Sequence, residues 1–148
     1  MNLSIAKDQL LAGLQSVQNI VSTRTTLPVL SNVLLRAEQD RLALTATDLD
    51  VTISCAVSAT VKTPGSTTVP VKKLFTIVRE LSSSEIELET DDKHTTSVRC
   101  GASFFKIRGL GAEEFPAMPK FQEDRKVEIS QEKLRTMLKR TSFATSSD

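Results

Sequence analysis

The stretch that decides the fold is TTVPVKKLFTIVREL, residues 67–81. It opens with a short β-branched run and continues into a pattern in which Leu74, Ile77, Val78 and Leu81 fall on one side of a helix. The pattern predicts a strand that leads directly into an amphipathic helix. Because such a helix needs a sheet to cover its apolar side, the flanking sequence should supply strands.

The same strand-helix pattern opens the chain and recurs near its end. Moved by 64 residues, Ile5, Leu10 and Leu14 fall on Val69, Leu74 and Val78. Moved by 124 residues, four apolar positions fall on apolar positions again: Leu3, Ile5, Leu10 and Leu14 on Val127, Ile129, Leu134 and Leu138. Unrelated strand-helix pairs would share some of this agreement, but the matches at one offset favour a true repeat. Ser130 is a suitable N-cap for the last helix, with Glu132 in its first turn.

Runs of alternating apolar residues follow each of the first two helices. They predict three strands after the first helix (within 29–38, 41–46 and 51–61) and three after the second (85–90, 96–100 and 103–108). The chain therefore reads as βαβββ twice, an α+β fold with helices on one face and antiparallel sheets on the other. We expect a first domain over 1–126, and over 127–148 the first strand and helix of a second, truncated domain. We accordingly expect the chain to be part of a longer repeat protein.

Charge is divided unevenly between helices and strands. The helical stretches 7–24, 71–81 and 131–148 carry nine basic and four acidic residues, whereas the remainder carries ten basic and fourteen acidic. If all helices share one face, that face attracts polyanions. The sequence has no Trp or Tyr, so we expect contacts to phosphates rather than base stacking. Charge alone leaves open the simpler reading, that Lys and Arg only solvate the helices.

The composition of the chain is typical of a globular protein. The 148 residues are 39% hydrophobic with a net charge of +1, and no apolar run approaches the length of a membrane span. The start of the chain lacks a secretory signal, so a cytoplasmic protein is expected. Cys55 and Cys100 could pair, but reduced thiols are the expectation there. No cysteine or histidine cluster predicts a zinc site or other cofactor.

One pair of carboxylates raises the question of a catalytic site. Asp48 and Asp50 lie two residues apart between two predicted strands, and the chain has a single histidine, His94. A hydrolase using these three residues is conceivable, but no nucleophile motif or full set of metal ligands accompanies them. We expect no active site, and expect Asp48 to bond nearby backbone N–H groups in an Asx turn, with Asp50 starting the next strand.

Four segments in this order carry a resemblance to a known family. They are RTTLPVLSNVLL (24–35), LALTATDLDVTI (42–53), TTVPVKKLFTIVREL (67–81) and EEFPAMP (113–119). Together they resemble the first domain of the bacterial DNA polymerase III beta subunit, the DNA sliding clamp. The resemblance runs from residue 1 to about 148, and no single segment would suffice for it.

The resemblance implies a fold, a function and partners. The full subunit would have three similar domains, and two subunits would close head to tail into a ring with helices lining the hole. The ring would encircle duplex DNA, tether the replicative polymerase and be opened by a clamp loader, without chemistry of its own. The groove for polymerase and loader peptides would lie in later domains. The alternative is a stand-alone, nonspecific nucleic-acid-binding module.

The resemblance and the charge pattern also suggest site residues. Arg24 and Lys72 correspond to DNA-contacting positions, and the helical charge adds Lys7 and Arg79. For the contact between subunits, the resemblance suggests the second helix and the last strand, with four residues: Lys73, Ile77, Phe105 and Ile107. Phe105 and Ile107 share one face of an edge-like strand, although Phe105 could instead be a core residue.

Overall fold

The computed structural model describes residues 1–21, 27–82, 84–117 and 127–145. The chain divides into two units, Met1–Met118 and Pro119–Asp148, which are described separately below. The helices are α1 (Lys7–Val17), α2 (Val71–Glu80) and α3 (Gln131–Thr141). The strands are β1 (Asn2–Ala6), β2 (Asn32–Glu38), β3 (Arg41–Thr47), β4 (Thr52–Ser58), β5 (Thr60–Thr63), β6 (Gly65–Pro70), β7 (Glu85–Thr90), β8 (Thr95–Cys100) and β9 (Ser103–Arg108).

The strands of the first unit form two antiparallel sheets. One has the order β5-β1-β7-β8-β9 and the other the order β4-β3-β2-β6. The first strand of each βαβββ half pairs with a strand of the other half. Strand β1 pairs with β7, with Leu3 opposite Leu88, and β6 pairs with β2, with Val69 opposite Val33. The predicted α+β class and the repeated element order are therefore confirmed.

The predicted strand over 51–61 is divided by Ala59. Its first part, β4, lies in the four-stranded sheet, and its second part, β5, lies in the five-stranded sheet. The N–H of Ala59 leaves the ladder and donates to the carbonyl of Asp40 at 3.1 Å, in the turn between β2 and β3. Gln39 and Asp40 have positive φ angles of 47° and 58° in this turn. Periodicity alone gives no sign of this change of sheet.

Both helices of the first unit bury one apolar stripe in a common core. Leu10, Leu14 and Val17 of α1 join Leu74 and Val78 of α2, all with no exposed surface, against the apolar sides of the two sheets. Complete burial of each of these side chains contributes roughly 1.5–3 kcal/mol. The apolar spacing read from the sequence thus corresponds to the buried sides of both helices.

The paired aspartates, Asp48 and Asp50, lie in the turn between β3 and β4. Asp48 Oδ1 accepts hydrogen bonds from the N–H groups of Asp50 at 3.1 Å and Val51 at 2.7 Å. This confirms the predicted Asx turn. The next strand begins at Thr52, so Asp50 belongs to the turn and not, as expected, to the strand. Because the Asp48 carboxylate accepts these two backbone hydrogen bonds, its role in the turn is structural.

The segment after β9, residues 109–115, runs back onto β6. Gly109 donates to the carbonyl of His94 at 2.9 Å, and Leu110 forms a bridge with Thr68. The Thr68 hydroxyl also accepts from Asn32 Nδ2 at 2.9 Å and donates to the Leu110 carbonyl at 3.1 Å. Phe115 is buried at the end of the segment. This segment is therefore fixed to the sheet.

The described part of the second unit is one helix with its N-cap. Ser130 Oγ accepts from the N–H of Lys133 at 3.3 Å, and Glu132 lies in the first turn, as predicted. The predicted strand over 127–129 does not form, and Val127 is 90% exposed. A strand needs a neighbour for its backbone groups, and residues 127–145 provide none. The predicted domain boundary at 126/127 adjoins residues 118–126, which lie outside the described residues.

Candidate nucleic-acid interface

Helix α2 shows two different exposed faces besides its buried stripe. Successive residues are rotated by about 100° around a helix, and residues seven apart share a face. Lys72 and Arg79 therefore lie on one side, which we call the 72/79 face. Lys73 and Ile77 lie on the next side, which we call the 73/77 face. The residues that the sequence assigned to DNA and to a second subunit are thus separated on the same helix.

The 72/79 face carries two exposed cations at opposite ends of the helix. Arg79 Nε donates to Glu80 Oε1 at 2.9 Å, and its guanidinium lies 5.8 Å from the centroid of the Phe75 ring. Both members of the ion pair are more than half exposed, with 57% for Arg79 and 70% for Glu80. An exposed pair of this kind contributes about 0–1 kcal/mol, so Arg79 can exchange Glu80 for another anion at little cost.

Lys7 is placed differently from the other predicted cations. Its ammonium group donates to the carbonyl of Arg79 at 3.1 Å and to the carbonyl of Leu81. Its backbone N–H donates to the carbonyl of Ser84 at 2.7 Å. The start of α1 is therefore joined to the end of α2, and Lys7 and Arg79 lie at the same end of the helix pair.

Of the two helices in the first unit, α2 carries the basic excess. The exposed positions of α1 include one carboxylate and no cation: Asp8, Gln9, Ala12, Gln15 and Ser16. The basic excess counted over three helical stretches comes largely from α3, which belongs to the other unit, and from α2. Arg24, the remaining predicted DNA contact, lies outside the described residues.

The outer side of the five-stranded sheet has the opposite charge near its middle. Glu85, Glu87 and Glu89 are exposed along β7 and alternate with the buried Ile86 and Leu88. Within the described ranges, Lys62 of β5, two strands away, forms an ion pair with this row: its Nζ lies 3.4 Å from Glu87 Oε1. The middle of this side is therefore acidic, whereas Arg99 of β8 and Lys106 of β9 add positive charge toward its β9 edge.

Strand β9 is an edge strand, as the sequence suggested. Phe105 faces Val98 and Ile107 faces Thr96 across the ladder with β8, so both aromatic and aliphatic side chains point inward. Phe105 is nevertheless 40% exposed, whereas Ile107 has no exposed surface. The expectation that Ile107 contacts a second subunit needs correction, because a completely buried side chain reaches a partner only if the core repacks.

The sequence did not predict one exposed aromatic side chain that lies between two cations. Phe104, 47% exposed, lies on the outer face of β9 between two cations. The Arg99 guanidinium is 4.8 Å and the Lys106 ammonium 5.7 Å from the centroid of its ring. The available signal was the alternation of Phe104 and Lys106 opposite Arg99, which becomes visible only when the register of β8 and β9 is known.

The described residues offer little for catalysis. Within the four described ranges, no three His, Cys, Asp or Glu side chains come together as metal ligands. Asp48 lies in a turn of the four-stranded sheet, whereas His94 lies at φ 57° in the turn between β7 and β8 of the other sheet. No described helix has both the length and the apolar character that crossing a membrane requires.

The sequence pattern of a known family accounts for the whole first unit. The family described as the DNA polymerase III beta subunit, N-terminal domain, matches residues 1–119. The chain belongs to the DNA polymerase III beta subunit family. In family terms, the matched region contains both sheets, both α1 and α2, and the segment that follows β9.

Individual relatives of this beta subunit family agree over nearly the whole chain. The beta sliding clamp of Chlamydia muridarum is 36% identical over 146 residues, which cover 99% of this chain and 40% of that protein. The beta sliding clamp of Pseudomonas aeruginosa is 38% identical over 145 residues, covering 97% and 40%. The chain thus spans about two fifths of the length of these relatives.

A solved structure gives the same result for the fold. The DNA polymerase sliding clamp of Caulobacter crescentus superposes with a TM-score of 0.93 at 35% sequence identity. The superposition covers 100% of this chain and 40% of that one. The clamp fold predicted from the sequence is therefore confirmed.

Proposed function

We propose that the chain forms the first domain of a DNA sliding clamp, the beta subunit that holds a replicative polymerase on duplex DNA. The observation that carries the proposal is the superposition of the whole chain on a DNA polymerase sliding clamp. The contrast in charge between the basic α2 and the acidic row along β7 supports it. The domain would act on bacterial DNA in the cytoplasm.

The DNA contact in this proposal is electrostatic and independent of sequence. Lys72 and Arg79 on the 72/79 face, with Arg24, are the candidate contacts to phosphates. Lysine and arginine on phosphates release counterions, which makes binding weak at physiological salt and steeply dependent on salt. Such contacts position a protein on the duplex without reading bases, so they allow it to slide.

Retention on DNA would come from closure of the ring rather than from affinity. Two complete subunits would assemble head to tail around the duplex, and a clamp loader would open and close them. A polymerase bound to the ring stays at the primer end because of its high effective concentration there. No residue of this domain is assigned a catalytic role.

The contact between subunits is assigned to the 73/77 face and the adjoining edge. Lys73 and Ile77 of α2 and Phe105 of β9 are the candidate contact residues, and Ile107 supports Phe105 from below. An edge strand has unpaired backbone groups that can accept a further strand. The partly exposed Phe105 would then be covered by the neighbouring subunit.

Retention on circular DNA tests the proposal. The complete beta subunit that contains this domain is loaded onto a nicked circular plasmid and passed through a gel-filtration column in high salt. We expect it to elute with the plasmid and to be lost after the plasmid is cut once. Equal retention on linear and circular DNA would instead indicate a stand-alone binding module. A Phe105→Ser variant, with a weakened contact between subunits, serves as the matched control.

A further inference from the structure

We infer that Lys7 is a positioning residue for the proposed DNA-facing surface and not itself a phosphate contact. The inference rests on the proposed function, because it concerns how the 72/79 face is held. Three hydrogen bonds carry it: two from the Lys7 ammonium to the carbonyls of Arg79 and Leu81, and one from the Lys7 N–H to the carbonyl of Ser84.

The carbonyl groups at the end of α2 need hydrogen-bond donors from outside the helix. The last carbonyls of a helix have no N–H partners within it, and a glycine after the helix commonly supplies the turn that satisfies them. Here the residue after Glu80 is Leu81, in an extended conformation with φ −66° and ψ 142°. The ammonium of Lys7 takes the place of that turn and also meets the negative end of the helix dipole.

The two ends of α2 are fixed in different ways. At its start, the helix follows directly from Pro70, the last residue of β6, so the four-stranded sheet holds the region around Lys72. At its end, Lys7 holds the last turn, which contains Arg79. Together with the buried Val78, the hydrogen bonds of Lys7 therefore limit how far the turn that carries Arg79 can move. Removing the Lys7 ammonium should loosen the turn that presents Arg79 without removing the Arg79 charge, so the number of proposed phosphate contacts stays the same.

A direct contact and a positioning role differ in their dependence on salt. Each lysine that neutralises a phosphate of duplex DNA adds about 0.9 to the slope of log K against log salt. A positioning lysine adds nothing of its own to that slope. The ammonium of Lys7 has three donors, and two of them are already used by the carbonyls of Arg79 and Leu81.

The experiment compares three variants of the 148-residue chain. Lys7→Met removes the ammonium and keeps the length of the side chain, Lys7→Arg restores donors for the two carbonyls, and Lys72→Met removes an exposed cation. Binding of a labelled 20-base-pair duplex is measured by fluorescence anisotropy at several salt concentrations. Amide hydrogen exchange is measured for the last turn of α2, with the last turn of α1 as the internal reference.

The expected results separate the roles. Lys7→Met should weaken DNA binding about threefold with a slope within about 0.3 of the original chain, whereas Lys72→Met should lower the slope by about 0.9. Exchange in the last turn of α2 should be about tenfold faster in Lys7→Met and restored in Lys7→Arg.

Other results would overturn the inference in recognisable ways. A slope that falls as much in Lys7→Met as in Lys72→Met would make Lys7 a phosphate contact. Unchanged exchange at the end of α2 would remove the positioning role. If the original chain shows no salt-dependent binding, the DNA contact of the proposed function fails, and with it the positioning of that contact. The exchange data then decide separately whether Lys7 holds the helix.

Discussion

Thr67 and Thr68 are neighbours in β6 with no exposed surface, yet their hydroxyl groups are in opposite situations. Thr68 Oγ1 bonds Asn32 Nδ2 and the backbone of Leu110. Thr67 Oγ1 has no hydrogen-bond partner among the residues that the structure describes. Successive strand residues point to opposite faces, so Thr68 faces the segment after β9, whereas Thr67 faces the apolar core with Val69.

The two threonines should therefore respond oppositely to replacement by valine. Thr67→Val should stabilise the first unit by about 1 kcal/mol, because an unpaired buried hydroxyl is replaced by a methyl group. Thr68→Val should destabilise it by about 2 kcal/mol, since the amide of Asn32 and the backbone of Leu110 lose a partner. Urea denaturation of each variant measures both free energies. The same sign for both would contradict the assigned hydrogen bonds.

Two glycines differ in how much space surrounds them. A Cβ atom on Gly109 would lie 1.8 Å from the carbonyl oxygen of Thr68, whereas one on Gly101 would meet nothing within 4 Å. Gly109→Ala should destabilise the unit by about 3 kcal/mol or more, because backbone has to move. Gly101 has a φ of 56°, so Gly101→Ala should cost only about 1 kcal/mol. Thermal unfolding of both variants checks the ranking.

Adjacent lysines on α2 provide a test of the two exposed faces. Lys72→Ala should lower the salt slope of DNA binding by about 0.9 and leave the contact between complete subunits unchanged. Lys73→Ala should do the reverse, weakening the dimer and leaving the salt slope nearly intact. Anisotropy titrations and analytical ultracentrifugation of the complete subunit measure the two effects. If both variants alter the same property, the faces are not functionally separate.

Phe105 and Ile107 point the same way from β9 but should have different roles. Ile107→Ala should cost about 3 kcal/mol of stability in the isolated domain, because it creates a cavity in the core. Phe105→Ala should cost about 1 kcal/mol, since part of its ring is already in water. In the complete subunit, Phe105→Ala should raise the dimer dissociation constant at least about tenfold. An unchanged dimer would exclude Phe105 from the contact.

Burial raises the pKa of the Cys55 thiol above its ordinary value of 9.0. A raised folded pKa means that the native state holds the proton more tightly than the unfolded state. The corresponding stability is present below pH 9.0 and is lost as the pH rises through the folded pKa. Iodoacetamide should therefore react with native Cys55 more slowly than with the urea-unfolded chain at pH 8.5. A Cys55→Ser variant identifies the contribution of Cys100.

The sequence predicted elements whose pattern is complete within a short window. The helix stripes, the strands of β7 to β9 and the Asx turn at Asp48 all depend on neighbours within a few residues, which the sequence displays directly. The break at Ala59 depends instead on a hydrogen bond to Asp40, far along the chain. The strand expected over 127–129 needed a neighbouring strand, which no periodicity guarantees.

The site was predictable to a similar extent. Helical spacing alone separates Lys72 and Arg79 from Lys73 and Ile77, so the two faces of α2 follow from the sequence. The burial of Ile107 depends on how the sheet closes around the core. The bonds of Lys7 depend on where α1 meets α2. Both are tertiary relationships between segments that the sequence leaves far apart.

The pairing of β1 with β7 also determines how this domain can be made. While a ribosome is still translating the first half, Leu3 lacks one of its two strand neighbours, because Leu88 has yet to be synthesised. Likewise, β2 can pair with β6 only after β6 has been synthesised. Neither βαβββ half can complete its sheet alone, so we expect the two halves, produced as separate peptides, to regain structure only when mixed.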